Sequence, residues 1–275
     1  MKLIYKFDWE IECLAKQREN LAVIGSKLTG NVWDGWVSII NYGENQYHQV
    51  AANRFESGMR CGAWHGGKLY VGADNGDVYC FNQDLSIAAK ASLHNDSVAS
   101  IDKKGQNIVS ADSYEIIVWD QSMNFQFSMQ NADTSHLKLY DNHSILSIGN
   151  DVRIWDIRSK ESKAILNLSG NAVDMRLVDS SLFIAQEDGL ILQIDLRSEN
   201  CINQWNVDHL LSSIEVIGSS FAIGTQQGDL LLYDYGNSQL QTSTALHKDQ
   251  IRSLLFTGSE ILTGSLDRTL KSYHI

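Results

Sequence analysis

Residues 107–120 read NIVSADSYEIIVWD, and residues 145–156 read ILSIGNDVRIWD. Each stretch is a short run rich in Val and Ile, a polar turn, and a second apolar run closing on Trp-Asp. β-branched runs of this length suit strands, and a polar turn holding Gly, Asn, Asp or Ser between two of them suits a hairpin. The same pattern recurs in both directions along the chain. Upstream it is LYVGADNGDVYCFN (69–82) and, one period earlier, LAVIGSKLTGNVWDGWVSIIN (21–41). Downstream it is LFIAQEDGLILQID (182–195), FAIGTQQGDLLLYD (221–234) and ILTGSLDRTLKSYH (261–274). Successive copies end 41, 38, 36, 39, 39 and 40 residues apart, so seven units account for the whole chain. Strand-only repeats of about 40–45 residues are the mark of four-stranded propeller blades. The expectation is an all-β, seven-bladed WD-repeat β-propeller.

The 275 residues form a single propeller domain, 1–275, in this reading. The last unit stops after its third strand, which would leave an unpaired edge. Residues 2–7 (KLIYKF) are strand-competent and precede the first strand of blade one. They are expected to supply the outer strand of the seventh blade and close the ring.

Composition narrows the function. The chain is 43% hydrophobic and 20% charged, carries a formal charge of −11, and has no proline, so turns fall to Gly, Asn, Asp and Ser. A surplus of acid argues against nucleic acid, whose phosphates are held by Lys and Arg, and suits a basic protein partner. Neither a signal sequence nor a membrane-spanning apolar stretch is legible, and no membrane partner is expected. Cytoplasmic and nuclear localisation is expected. Cys13, Cys61, Cys80 and Cys201 lie too far apart for a metal cluster and read as four buried, reduced thiols. No metal or cofactor is expected.

Chemistry-bearing motifs are scarce. There is no GxSxG, GxxxxGK[ST] or HExxH, and no catalytic residue is assigned. Gly62, Gly66 and Gly67 (CGAWHGG) look like a phosphate loop but lie between strands with no helix following, and so read as an inter-strand turn. His94 and His247 open two units as LHNDSV and LHKDQI. In WD repeats such a His joins a turn Asp and a strand Trp in a buried hydrogen-bonded set. Blade three offers His94, Asp112 and Trp119; blade seven offers His247 and Asp267, with Tyr273 in the Trp position. A structural role is expected for these residues.

One unit departs from its siblings. Between the second and third strands of blade one, Gly25 to Gly35 is longer than the equivalent turns and carries Trp33. An aromatic in a Gly-flanked polar loop either folds back onto the blade as a plug or stands out as an interface anchor.

The run SKLTGNVWDGWVSII resembles the first-blade signature of the methylosome WD-repeat family, the non-catalytic partners of the type II protein arginine methyltransferase. Ser26, Leu28, Thr29, Gly30, Trp33 and Gly35 carry the match. The likeness continues through FESGMRCGAWHGGKLYVGADNGDVYCF and reappears in LHKDQIRSLLFTGSEILTGSLDRTL. Trp36 departs from it by following Gly35 directly, where the family places an aromatic two residues later. The resemblance implies an adaptor, not an enzyme, that docks by Trp33 onto the barrel domain of the methyltransferase. Lys27, Leu28, Asn31 and Asp34 would flank that contact. It further implies a 4:4 hetero-oligomer presenting Arg-rich substrates such as histone and Sm-protein tails. Two other readings stay open: a WD-repeat scaffold of an unrelated complex, and a propeller enzyme.

Overall fold

A computed structural model describes every residue except Gly30, Glu44, Asn45 and Asn131, with the backbone alone for Thr29, Gly43 and Gln46. Among the described residues there are 28 strands and no helix. The first, β1 (Lys2–Lys6), stands apart from the regular succession that follows. Blade one is β2 (Glu10–Gln17), β3 (Asn20–Thr29), β4 (Val32–Gly43) and β5 (Gln46–Phe55). Blade two is β6 (Met59–His65), β7 (Lys68–Ala73), β8 (Asp77–Phe81) and β9 (Ile87–Ser92). Blade three is β10 (Ser100–Lys104), β11 (Asn107–Ala111), β12 (Glu115–Trp119) and β13 (Phe125–Gln130). Blade four is β14 (His136–Leu139), β15 (Ser144–Ile148), β16 (Asp151–Asp156) and β17 (Glu161–Asn167). Blade five is β18 (Ala172–Val178), β19 (Ser181–Gln186), β20 (Leu190–Asp195) and β21 (Asn200–Asn206). Blade six is β22 (Leu211–Ile217), β23 (Ser220–Thr225), β24 (Asp229–Asp234) and β25 (Gln239–Ala245). Blade seven is β26 (Ile251–Phe256), β27 (Glu260–Ser265) and β28 (Thr269–His274), with β1 antiparallel to β28 as its fourth strand. Seven four-stranded antiparallel sheets in this order make an all-β, seven-bladed propeller.

Within each blade the second and third strands are the buried ones. In blade three β11 and β12 are buried almost throughout, while β13 alternates toward solvent. That is why the second and third strands carry the near-continuous Val/Ile/Leu runs that betray the repeat. The fourth strands are polar; β21 reads NCINQWN and β25 reads QLQTSTA.

The chain divides into two compact units, residues 12–164 and residues 1–11 with 165–275. In the first unit, facing sheets of blades one and two bury Ile24, Val37, Ile39, Met59, Val71 and Phe81. Blades two and three share Tyr70, Val78, Val98, Ile117 and Trp119. In the second unit Phe183, Trp205, Phe221 and Tyr233 fill the space between blades five and six, with the Trp205 and Phe221 rings edge-to-face at 5.2 Å. Here too β1 is fastened to blade seven. Lys2 pairs with Ser272 and Lys6 with Thr269, and the Phe7 amide donates to the Arg268 carbonyl at 2.8 Å. Behind it Phe7 and Trp9 are buried with their rings 4.3 Å apart.

Turn glycines are dictated by crowding as well as by backbone angle. Gly76, Gly189 and Gly228 all have φ between +82° and +100°. A Cβ on them would lie 2.3, 2.1 and 2.5 Å from the carbonyl oxygens of His94, Val207 and His247. The next blade's entry loop therefore packs directly on these turns.

Two expectations need correcting. The stretch from Gly25 to Gly35 is not an enlarged loop: β3 and β4 stay paired from Asn20↔Asn41 out to Thr29↔Val32. Nor are the four thiols all buried. Cys80 is buried and Cys13 and Cys61 are half-buried, but Cys201 is exposed, because it falls on the outer strand β21.

Candidate functional site

The β3–β4 hairpin is the structural exception among the blades. Its inner half is ordinary core, with Leu21, Ala22, Val23 and Ile24 all buried. The third partner, β5, pairs with β4 only as far as Gly35↔Phe55. Beyond Gly35, among the described residues, β4 keeps its pairing with β3 but has no β5 residue beside Val32, Trp33 or Asp34. A hairpin tip that outruns its neighbouring strand has less to cover it, and its side chains sort by face.

Trp33 and Leu28 are direct cross-strand partners and lie on one face. They are 46% and 52% exposed, and Val32 beside them is 52% exposed. Trp33 is thus no plug. Asp34 falls on the opposite face by strand alternation and is buried, its carboxylate taking Arg54 Nη2 at 2.7 Å. This corrects the expectation for Asp34: it braces the hairpin against β5 and presents no free surface to a partner. Asn31 is exposed in the turn, and Lys27 is half-buried opposite Asp34. Gly30 lies outside the described residues, as does the side chain of Thr29, so two positions of the motif have no structural reading here. The base of the projection is rigidly seated. A Cβ on Gly35 would come within 2.0 Å of the Ser57 carbonyl oxygen and 2.7 Å of Met59.

The expected histidine sets come together, each with a member that sequence reading missed. In blade three His94 Nε2 lies 2.7 Å from Ser110 Oγ, which also accepts Trp119 Nε1 at 2.8 Å. His94 Nδ1 sits 3.3 Å from Asp112 Oδ2, close but without hydrogen-bond alignment. Asp112 Oδ1 receives the amides of Tyr114 and Glu115 at 2.8 and 2.7 Å. In blade seven His247 Nε2 is 2.7 Å from Thr263 Oγ1, and its Nδ1 is 3.1 Å from Asp267. Thr269 also approaches Nδ1 at 3.0 Å. Tyr273, half-buried, packs against the apolar cluster shared by blades six and seven. Burial pushes both imidazoles toward the neutral form against the pull of their aspartates, His247 down to about 4. The signal for Ser110 and Thr263 was present: both are small hydroxyl residues at one position of the second strand. A lone hydroxyl in an apolar strand, however, gives no cue to its partner.

Ser110, His94 and Asp112 have the outline of a hydrolytic triad, yet the arrangement is sealed. Ser110 and Asp112 are fully buried, and the Ser110 hydroxyl is committed on both sides, accepting from Trp119 Nε1 and hydrogen-bonded to His94 Nε2. A nucleophile that no substrate can reach does no chemistry. The same holds for metal ligation by His94, Asp112 and Glu115, whose ligating atoms lie within 4.8 Å of one another. Glu115 is committed to Gln130 at 2.7 Å and His94 Nε2 to Ser110. The set ties turn, strand and entry loop together.

Charge is distributed unevenly between blade ends. In blades five to seven, the second-to-third-strand turns and the entry loops carry Glu187, Asp188, Asp208, Asp249 and Asp267 against Lys248 and Arg268. A cavity of about 500 Å³ opens among them between blades five and six. Asp188, Asp208 and Asp229 line it with His209, Asn206 and Gln227. Such a lining accepts guanidinium or ammonium groups, not anions.

No protein-family model matches the sequence, and no curated protein does. Among solved structures, the chain is similar to the WD40 β-propeller domain of Doa1, with a TM-score of 0.82 at 13% identity over 98% of this chain and 96% of that one. It is also similar to the computationally designed Ika8 protein, with a TM-score of 0.72 at 13% identity over the full length of both chains. The fold is that of a WD40 seven-bladed propeller.

Proposed function

We propose that this propeller is a non-catalytic adaptor. In this reading it docks by the blade-one hairpin onto a type II, symmetric-dimethylating protein arginine methyltransferase and presents Arg-rich protein substrates. The observation that carries it is the Leu28–Trp33 pair. Two large apolar side chains stand side by side in solvent at the end of a rigidly seated hairpin. An exposed Trp on a fixed element is a favoured binding anchor, since little conformational entropy is lost when it is covered. The acidic turns and cavity of blades five and six supply complementary charge for a basic substrate chain.

The sealed histidine sets support the adaptor reading over an enzymatic one. Trp33→Ala should abolish co-purification with the methyltransferase, a loss of about 2–4 kcal/mol for a buried Trp anchor. Its melting temperature should stay near the parent's, because the side chain is half-exposed in the free protein. Retained binding would overturn the docking assignment. Recovery of a different stoichiometric partner through the same hairpin would instead make the protein a scaffold of an unrelated complex.

A further inference from the structure

We propose that His65 and Lys68, at the β6–β7 turn of blade two, and Lys103 from blade three form a binding site for a phosphate dianion, free or as a monoester. The site is assembled from separate segments. His65 and Lys68 are the last cross-strand pair of β6 and β7. The turn between them is Gly66–Gly67, with φ of +59° and +79°. Nothing lies within 4 Å of the position a Cβ would take on Gly66, so the turn's outer side is open. The Gln83 amide nitrogen, from the β8–β9 turn, is 3.2 Å from the corresponding point on Gly67. Lys103 enters from β10, its Nζ 5.5 Å from the centroid of the buried Tyr70 ring.

Carboxylates are turned away. Asp102, one residue along the strand, faces the other side, accepting the Leu139 amide at 2.8 Å and lying 3.9 Å from Lys138. Asp84, on the β8–β9 turn, is held by the Ser86 amide and hydroxyl at 2.9 and 2.6 Å. Among the described residues, none of His65, Lys68 and Lys103 has a carboxylate partner in an ion pair. In a chain of net charge −11, two ammonium groups and an imidazole therefore meet uncompensated.

The cost registers in their ionisation. Burial and the Lys68 cation pull Lys103 below the ordinary lysine range, with only the Cys80 thiol acting the other way. His65 is lowered by burial and then by Lys103. A bound dianion matches the two lysine charges and relieves both penalties. Its tetrahedral oxygens can also accept from the ammonium groups, the imidazole N–H and the Gln83 amide together, which a single carboxylate cannot.

The test is a titration of the full chain with sodium phosphate against sodium chloride at constant ionic strength, followed by calorimetry and by the His65 ring resonances. One saturable site is expected, with the His65 resonances moving along the same isotherm. Lys68→Gln, and Lys103→Met, which keeps a side chain over Tyr70, should each weaken binding about tenfold or more, while Lys68→Arg retains it. A parallel titration with phosphoserine separates the sources: binding of both probes marks a site for phosphorylated groups, and binding of phosphate alone a free-anion site. No saturable binding, unmoved His65 resonances in the parent, or equal affinity in folded Lys68→Gln and Lys103→Met would overturn the proposal.

Discussion

Acid should weaken the fold through His247, and the size of the effect follows from its surroundings. The His247 side chain is fully buried against Asp267, Thr263 and Thr269, and burial pulls its pKa down to about 4 from the ordinary histidine value of 6.5. Between those values the unfolded chain binds more protons than the native one, so stability rises with pH across this window. Falling pH therefore removes stability, beginning as the unfolded imidazole titrates near 6.5 and levelling off below about 4. At about 1.4 kcal/mol per pKa unit, the loss from this residue is about 2 kcal/mol by pH 5 and about 3 kcal/mol by pH 4. Asp267, held down to about 2, stays ionised throughout that window in the native state. The assay is urea unfolding of the parent and of His247→Gln from pH 7.5 to 4. Other titrating groups are common to both proteins, so the difference between their unfolding free energies isolates His247. It should shrink by about 3 kcal/mol as pH falls. A difference that does not change with pH would refute the account of a neutral, buried imidazole.

Two further outcomes follow from the same packing. Ser110→Ala leaves His94 Nε2 and Trp119 Nε1 without their shared partner in a dry site, and should cost about 2–4 kcal/mol in equilibrium unfolding; a change under about 0.5 kcal/mol would show the set to be energetically idle. Thiol labelling of the native protein should show Cys201 reacting fastest, since it alone of the four cysteines is exposed, and burial pushes the Cys61 and Cys80 thiols up. Loss of the fast phase in Cys201→Ser checks the assignment, and a fast phase surviving that substitution would contradict it.

The blades were legible in the amino-acid order because their determinants are local. A strand buried between neighbouring sheets must be apolar along its length, and a tight turn must hold Gly, Asn, Asp or Ser. Both requirements act within a dozen residues, so NIVSADSYEIIVWD declares its hairpin wherever it sits. His94 with Asp112 and His247 with Asp267 were legible for a similar reason, standing at fixed distances along one repeat. Ser110 and Thr263 were not, because a hydroxyl's partner is chosen by how the entry loop folds back over the second strand.

The functional surface lay further from reach. Its composition marked residues 25–35 as unusual, but whether Trp33 plugs a blade or faces solvent depends on where β5 stops pairing with β4. That end point also sends Asp34 to Arg54 and leaves Leu28 and Trp33 outside. Strand alternation alone cannot decide this, since it says which residues share a face and not which face meets protein. The cation cluster is the extreme case. Lys103 lies far along the chain from the His65–Lys68 hairpin pair, and each looks like an ordinary surface charge until β6, β7 and β10 bring them to one blade end. The sequence by itself determined seven repeats, their strands and their turn chemistry, because those are set by short-range burial and backbone geometry. Tertiary structure decided which charges meet and which aromatics stay wet, because electrostatics and exposure are properties of neighbours that the chain order does not name.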